Sequence, residues 1–197
     1  MPAHSTTTAP RQDNRRQQLL DTAARLFRQH GYHATSMRDI ASAVGMLPGS
    51  IYYHFASKDE LLVTVYREGV SRIAERLDAA VAGKKEPWQQ LEAACIAHLQ
   101  TVLDHSDYAQ VVIRVLPDDA PAVRVRLAAL RDQYEERFKD LVAALDLPAY
   151  VDRHYLRLLL LGALNWSQVW YRRGGDSPRT IAKRFLQVLH GIQAQQR

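Results

Sequence analysis

Residues 45–61 read Gly-Met-Leu-Pro-Gly-Ser-Ile-Tyr-Tyr-His-Phe-Ala-Ser-Lys-Asp-Glu-Leu. One helix is predicted to end at Gly45 and a longer one to begin at Ser57, which leaves room for barely two helical turns between them. A helix that short is unstable by itself in water, so its neighbours must hold it in place. It carries two phenols, an imidazole and a hydroxyl instead of the usual Glu and Lys side chains. A short supported helix with this surface is typical of the DNA-reading element of a helix-turn-helix protein.

The basic charge of the chain is concentrated near its N-terminus. Of 197 residues, 47% are hydrophobic and 24% charged, which is ordinary for a globular protein of one or two domains. Residues 1–58 carry seven Lys and Arg against three Asp and Glu, whereas the whole chain carries 26 against 21. Most of the net charge of +5 therefore lies in the first third. This favours a polyanionic partner there, although a solvated basic surface is the alternative.

The sequence shows no targeting or membrane segment. The longest apolar run, residues 158–164, is far shorter than the roughly 20 residues that span a bilayer. Residues 1–10 form a polar tail without the hydrophobic segment of a signal peptide, and we expect them to be disordered. A cytoplasmic location and no membrane partner are expected. The single cysteine, Cys95, excludes an internal disulfide, and its apolar surroundings predict a buried, inert thiol rather than a redox sensor.

Helix-ending and helix-starting signals predict an all-α chain of nine helices without a sheet. Apolar residues recur at three- and four-residue spacing, Gly31 supplies a helix C-terminus, and Ser36/Asp39 and Ser57/Glu60 resemble capping boxes. In the third helix, Ile51 and Phe55 are four residues apart and are expected to anchor it to the core. The predicted helices cover residues 11–30, 36–44, 48–55, 57–82, 87–104, 107–116, 122–145, 149–173 and 177–193.

The order of these motifs resembles the TetR family of transcriptional repressors. The resemblance covers about residues 15–62 and rests on Thr35-Ser36-Met37-Arg38-Asp39-Ile40-Ala41, Val44-Gly45, Gly49-Ser50-Ile51-Tyr52-Tyr53-His54-Phe55 and Lys58-Asp59-Glu60-Leu61-Leu62. It implies an all-helical homodimer with a helix-turn-helix DNA-binding domain, here residues 11–57, and an effector-binding and dimerisation domain, here residues 58–197. The chain departs from the family at Met46-Leu47-Pro48, where a small or polar residue and a basic one are more common. This departure weighs against a base contact from the start of the third helix.

Nine residues are candidates for contact with a double-stranded operator. They are Thr35, Ser36, Arg38, Gly49, Ser50, Tyr52, Tyr53, His54 and Lys58. The phenols, the imidazole and the ammonium can donate to phosphate oxygens, and a tyrosine ring can also lie against a sugar or a thymine methyl. Thr35 and Ser36 stand at a helix N-terminus, which favours a phosphate, and Arg38 reaches a base edge or lies beside the backbone. Gly49 and Ser50 allow close approach to the groove. For Tyr52, Tyr53, His54 and Lys58 the alternative is a purely structural role.

The second distinctive run covers residues 165–175. It resembles a segment of the TetR-like regulators that sense acyl-CoA thioesters, and it has Trp166 and Trp170 on one helical face. Residues 158–169 are apolar around most of the helix, which predicts burial on more than one face and a dimer seam shared with the last helix. The effector-binding candidates are Arg114, Asn165, Trp166, Trp170 and Arg172. The alternative is that the tryptophans belong to the core or the seam and that the arginines lie in solvent.

No catalytic motif, metal-ligand cluster or cofactor fingerprint is recognisable in the sequence. We therefore predict a repressor that is not an enzyme, has no cofactor, and leaves a palindromic operator when a small molecule, such as an acyl-CoA thioester or another apolar ligand, binds. An activator, or a regulator without a ligand, is the alternative within the same fold. A helical ligand carrier or enzyme with nonspecific nucleic-acid affinity is the alternative from another class.

Overall fold

The computed structural model describes the backbone of residues 9–104 and 106–194 and the side chains of residues 14–104 and 106–189. Over these ranges the chain forms eight α-helices and no strand, which confirms the all-α prediction. The helices are α1 (Ala9–His30), α2 (Met37–Ala43), α3 (Lys58–Val81), α4 (Pro87–Val102), α5 (Asp107–Arg114), α6 (Arg124–Ala143), α7 (Arg153–Trp170) and α8 (Pro178–Ala194). Of the tail predicted to be disordered, residues 1–8 lie outside the described residues, and residues 9 and 10 belong to α1.

The predicted third helix is not an α-helix. Residues 48–55, called the recognition segment from here on, contain instead a 3₁₀ helix at Ser50–Tyr53. Its amides follow the three-residue pattern: Tyr52 N–H donates to the Gly49 carbonyl over 3.4 Å and His54 N–H to the Ile51 carbonyl over 3.0 Å. Because the turn before it and the cap of α3 after it leave so few residues, the tighter 3₁₀ winding closes the connection.

Both predicted capping serines lie at helix starts, but only one forms a complete capping box. Ser36 accepts the Asp39 N–H over 3.1 Å, and the Asp39 carboxylate accepts the Ser36 N–H over 2.9 Å. Ser57 likewise accepts the Glu60 N–H over 3.1 Å. The Glu60 carboxylate, however, turns away to pair with the Arg126 guanidinium of α6, with Oε2 3.0 Å from one guanidinium nitrogen. This ion pair connects the start of α3 with the start of α6.

The apolar side chains form two clusters that share α3. The first joins α1, α2 and the recognition segment to the first half of α3, to α5 and to the start of α6. The second joins the end of α3 to α4, α6, α7 and α8. Tyr134 of α6 packs against both clusters. The first cluster contains residues on both sides of residue 57, and α3 contributes to both clusters. The hydrophobic core therefore does not divide at residue 57.

Helix α5 packs tightly against α3 and is bonded to α1. A Cβ at Gly69 of α3 would lie 2.6 Å from the Val112 Cγ2 and 2.8 Å from the Tyr108 carbonyl oxygen, so the two helices touch where a side chain is missing. The Tyr108 hydroxyl donates to the Asp21 carboxylate of α1 over 2.8 Å and accepts from the Gln17 amide over 3.2 Å. The guanidinium of Arg72 lies 4.1 Å from the centre of the Tyr108 ring. Tyr108 thus connects α5 to both α1 and α3.

Cys95 is fully buried in α4. This burial raises the pKa of its thiol, so the thiol stays protonated and unreactive.

None of the helices described is long and apolar enough to cross a membrane. Within the same ranges, no three His, Cys, Asp or Glu side chains come together as a metal site.

Candidate DNA-reading surface and effector cavity

The recognition segment turns its aliphatic and phenyl side chains inward and its phenols outward. Ile51 is fully buried and Phe55 is 4% exposed, and both belong to the first core cluster. Tyr52 is 56% exposed and Tyr53 is 91% exposed. Core packing, the alternative considered for the two tyrosines, therefore does not apply to them. Because Ile51 and Phe55 anchor one side of this short segment, the side chains of the other side remain in solvent.

The remaining candidates of α2 and the recognition segment lie at or near the surface. Ser36, Arg38 and Gly49 are exposed, and Ser50 and His54 are half-buried. Together with Tyr52 and Tyr53 these residues form what we call the DNA-reading surface. The hydroxyl of Ser36 donates to the Asp39 carboxylate over 2.6 Å, and hydrogen bonds from Ser36 hold the pKa of Asp39 below its usual value. Ser36 thus acts first as a helix cap.

Two of the predicted DNA contacts have structural roles instead. Thr35 is 2% exposed, and its hydroxyl donates to the Gly31 carbonyl over 2.8 Å. The Thr35 hydroxyl therefore supports the loop before α2 and is not presented to solvent. The Lys58 ammonium donates to the Tyr32 carbonyl over 3.0 Å and lies 4.3 Å from the Tyr32 ring centre. It braces the loop between α1 and α2 against α3 rather than standing free as a phosphate clamp.

A cavity of about 250 Å³ lies in the C-terminal part of the chain, between helices α3 to α7. Much of its wall is apolar, with Val70, Ile73, Val112, Ile113 and Leu161 among the lining residues. Its polar lining includes His98, Arg131, Tyr134 and Asn165. Of the predicted effector-binding residues, Asn165 lies here. A mainly apolar cavity with a few convergent polar groups is the usual form of a small-molecule site.

Three polar side chains from three helices are bonded together in the cavity wall. His98 of α4 is buried; its Nδ1 lies 2.7 Å from the Tyr134 hydroxyl of α6 and its Nε2 lies 3.1 Å from the Asn165 Oδ1 of α7. Desolvation by burial lowers the pKa of His98 to about 4. The imidazole is therefore neutral at pH 7. Sequence analysis missed His98 and Tyr134, because neither belongs to a motif and the two residues are 36 positions apart in the chain.

A second, more polar cleft adjoins the cavity. It has a volume of about 220 Å³ and shares Val102 and Gln168 with the cavity lining. Arg114, a predicted effector-binding residue, lines this cleft together with Arg173. The Asp104 carboxylate also lines the cleft but is paired with the Arg76 guanidinium over 3.1 Å. An apolar cavity next to a cleft with two guanidinium groups is therefore complementary to an amphipathic anion.

Trp166, Trp170 and Arg172 line neither the cavity nor the cleft. Trp166 is 64% exposed and Trp170 is 42% exposed. Because α7 buries Leu161 and Leu164 toward the core, residues two and six positions after Leu164 project from the opposite side of the helix. Arg172 follows α7, and its guanidinium donates to the Tyr171 carbonyl over 3.2 Å. In the single chain, the two tryptophans therefore do not line the cavity, and its apolar wall includes aliphatic residues of α3, α5 and α7.

The outer side of α7 is a continuous apolar surface, which we call the α7 face. Its residues recur every three or four positions and so lie on one side of the helix. They are Tyr155, Leu158, Leu159, Gly162, Trp166, Val169 and Trp170. A Cβ built at Gly162 would meet nothing within 4 Å. Exposed apolar patches of this kind mark interaction sites.

Two family models of bacterial regulatory proteins together match most of the chain. The family described as "Bacterial regulatory proteins, tetR family" matches residues 19–65, and "Tetracyclin repressor-like, C-terminal domain" matches residues 84–192, more than half of the chain. The chain belongs to the TetR family. It is a DNA-binding transcriptional regulator of the kind the N-terminal resemblance implied, and TetR regulators function as dimers.

Relatives of this TetR-family protein include named repressors. The HTH-type transcriptional repressor KstR2 of Mycobacterium tuberculosis is 29% identical over 189 residues, which cover 91% of this chain and 92% of the relative. The structure of AibR in complex with isovaleryl coenzyme A and operator DNA superposes with a TM-score of 0.75 at 24% identity, over 88% of this chain and 97% of that one. The crystal structure of superantigen PfiT superposes with a TM-score of 0.77 at 31% identity, over 88% and 94%.

Proposed function

We propose that this TetR-family chain is a homodimeric repressor that binds a palindromic operator through the DNA-reading surface and leaves it when an amphipathic anion occupies the cavity and the cleft. The observation that carries the proposal is the recognition segment. Its buried Ile51 and Phe55 hold it to the core while Tyr52 and Tyr53 extend into solvent. A short element supported in this way has the form that enters a major groove.

The two proposed domains divide the work at residue 57. Residues 11–57 read DNA: Tyr53 and His54 donate to phosphates, Tyr52 lies against a sugar or a thymine methyl, and Arg38 reaches the backbone or a base edge. Residues 58–197 bind the effector and dimerise. The protein acts by binding and not by catalysis, and it works in the cytoplasm because bacterial operators lie there.

The effector proposed is an acyl-CoA thioester. Its acyl group suits the apolar cavity, and its phosphates suit the cleft, where Arg114 and Arg173 supply positive charge. The complex of AibR with isovaleryl coenzyme A supports this class of ligand. A cavity of about 250 Å³ favours a short or branched acyl chain over a long straight one.

Two connections carry the effect of the ligand to the DNA-reading surface. Val70 and Ile73 of the cavity wall lie on α3, which begins directly after the recognition segment. Val112 of the wall lies on α5, which is bonded to α1 through Tyr108. A ligand that favours a different arrangement of these helices shifts the protein toward it by the difference in its affinity for the two states.

Dimerisation is proposed to occur through the α7 face and α8. A second copy would cover Trp166, Trp170 and the open space beside Gly162, which permits close approach of two helices. Two recognition segments must be about 34 Å apart to enter successive major grooves. A rigid seam sets this separation, and a ligand changes it.

The test is a binding titration with DNA from the intergenic region upstream of the gene and with the same DNA scrambled, each at two salt concentrations. A specific regulator binds its site at least roughly a thousandfold more tightly than scrambled DNA. The carrier or enzyme alternative predicts equal affinities with a steep salt dependence. Isovaleryl coenzyme A is then added to the specific complex. Release supports the effector class, whereas tight specific binding that no acyl-CoA alters would refute it and leave the activator or ligand-free alternatives.

A further inference from the structure

The hydrogen-bonded chain of Tyr134, His98 and Asn165 is more polar than an apolar acyl group requires. Its members come from α6, α4 and α7 and meet at the wall of the cavity. The Tyr134 ring is stacked on the imidazole with ring centres 5.7 Å apart, and Phe138 contacts the imidazole edge-to-face at 5.5 Å. The imidazole is thus contacted by two aromatic rings and bonded at both nitrogens.

The hydrogen bonds define which nitrogen of His98 carries the proton. The Asn165 Oδ1 can only accept, and it lies 3.1 Å from Nε2, so the proton is on Nε2. Nδ1 is then an acceptor, and the Tyr134 hydroxyl 2.7 Å away donates to it. The neutral form that this arrangement requires is also the one favoured by burial, since the pKa of His98 falls to about 4.

The same bonds leave the amide N–H groups of Asn165 available. Its oxygen is engaged by His98, and its Nδ2 makes no hydrogen bond to the part of the chain that the structure describes. Asn165 lines the cavity, and two other polar lining groups are engaged elsewhere, the Thr101 hydroxyl with the Ala97 carbonyl and the Glu135 carboxylate with the Arg157 guanidinium. A donor beside an apolar cavity gains most from a ligand that brings an acceptor with it.

We propose that Asn165 is a specificity-determining residue that donates to a carbonyl oxygen of the bound molecule, and that His98 is the positioning residue that turns the amide toward it. The ligand class is therefore a compact aliphatic molecule with a carbonyl group, a thioester or a ketone, in preference to an alkane of the same shape. This rests on the proposed function only in placing the effector in this cavity.

The first experiment uses the full-length ¹⁵N-labelled protein and two probes that differ only in the carbonyl oxygen, 4-methyl-2-pentanone and 2-methylpentane. Dissociation constants come from chemical-shift titration of the Asn165 side-chain amide and of neighbouring backbone amides. In Asn165→Leu, ketone binding should weaken about fivefold while 2-methylpentane binding changes less than about twofold, as expected for the loss of one hydrogen bond. In Gln168→Leu, which removes another amide from the cavity lining, the ketone preference should persist.

The second measurement is the tautomer of His98, read from long-range ¹H–¹⁵N correlations of its ring. We expect a proton on Nε2 and none on Nδ1. A proton on Nδ1 would turn the Asn165 oxygen toward the cavity and overturn the proposal. So would an unchanged ratio of ketone to alkane affinity in Asn165→Leu, or the absence of any ketone-induced shift at its solubility limit. These outcomes are independent of operator binding and of its release by isovaleryl coenzyme A, so failure here is distinguishable from failure of the proposed function.

Discussion

Neighbouring residues of the recognition segment have opposite environments, and this predicts opposite effects of substitution. Tyr53 is 91% exposed and makes no contribution to the core. Tyr53→Ala should weaken operator binding roughly tenfold to a hundredfold, the cost of lost base or phosphate contacts, and change the free energy of unfolding by less than about 0.5 kcal/mol. Fluorescence anisotropy with operator DNA and thermal unfolding measure the two quantities.

Ile51→Ala is the matched control two residues earlier. Ile51 is fully buried, so its truncation should cost about 2–5 kcal/mol of unfolding free energy and lower Tm by roughly 5–15 °C. If Tyr53→Ala lowered Tm to a similar extent, the tyrosine would be structural and the DNA-reading surface would be misassigned.

The buried imidazole predicts a pH dependence of stability. In the unfolded chain His98 has a pKa near 6.5, whereas in the folded protein burial lowers its pKa to about 4. As the pH falls from 7 to 5, the unfolded state binds a proton that the folded state does not, so folding loses about 2 kcal/mol. The stability that comes from burying neutral His98 rather than its protonated form is fully present above about pH 6.5 and is lost as the pH falls toward 4.

His98→Gln isolates that effect. The difference in unfolding free energy between pH 7 and pH 5 should be about 2 kcal/mol smaller in the variant than in the unaltered protein, because glutamine does not titrate. Urea unfolding at the two pH values provides the comparison, and carboxylates contribute equally to both proteins. Equal differences would mean that His98 titrates normally in the folded state.

The chemistry of a side chain, read from the sequence, could not distinguish a residue that contacts DNA from one that stabilises the fold. Thr35 and Lys58 have side chains suited to phosphate, yet one hydroxyl and one ammonium are used by loop carbonyls at Gly31 and Tyr32. The Tyr32 carbonyl comes close to Lys58, 26 residues away, only when α1, α2 and α3 are folded together, whereas Gly31 is four residues before Thr35 in the same loop. The exposure of Tyr53, in contrast, was predictable because Ile51 and Phe55 are the natural anchors.

At the scale of secondary structure, the contact between α3 and α5 is the most sensitive point of the fold. A Cβ at Gly69 would lie 2.6 Å from a Val112 methyl and 2.8 Å from the Tyr108 carbonyl oxygen. Gly69→Ala should therefore destabilise the protein by about 1–3 kcal/mol, as overpacking does. Ordinarily the same change in a helix stabilises by up to about 1 kcal/mol.

Denaturant unfolding of Gly69→Ala and of the double variant with Val112→Ala tests the origin of the loss. Removing the Val112 methyls relieves one of the two clashes, so the double variant should be less destabilised than the sum of the single ones. Recovery remains partial because the Tyr108 carbonyl belongs to the backbone. A Gly69→Ala variant more stable than the original would contradict the close packing of α3 and α5.

Helix positions were largely predictable because their signals are local. Caps at Ser36 and Ser57 and the glycine after α1 act within one helical turn, and the structure begins and ends helices close to them. The 3₁₀ winding of the recognition segment was not predictable from its composition. It results from the small number of residues between two fixed helix ends.

At the scale of the whole molecule, the α7 face predicts a dimer that one charge can break. Trp166→Glu puts a carboxylate in the centre of an apolar surface, and a seam there cannot solvate it. Light scattering should show the mass of one chain instead of two. Operator affinity should fall by roughly a hundredfold or more, since the second recognition segment no longer gains from linkage to the first.

Gln133→Glu serves as the control because it adds the same charge at an exposed position of α6. It should leave the dimer mass and operator affinity unchanged. An unaltered dimer in Trp166→Glu, combined with loss of the response to acyl-CoA, would return this tryptophan to the effector site and place the seam elsewhere.

The sequence by itself determined the helical class, the helix ends and the recognition segment, because caps, glycines and apolar spacing act between residues a few positions apart. Only the tertiary structure decided which side chains meet. His98 lies 67 residues from Asn165 and 36 from Tyr134, and the inner and outer sides of α7 are equally apolar in sequence. Periodicity shows which residues share a side of a helix, but the packing of the other helices decides which side closes the cavity and which stays open for a partner.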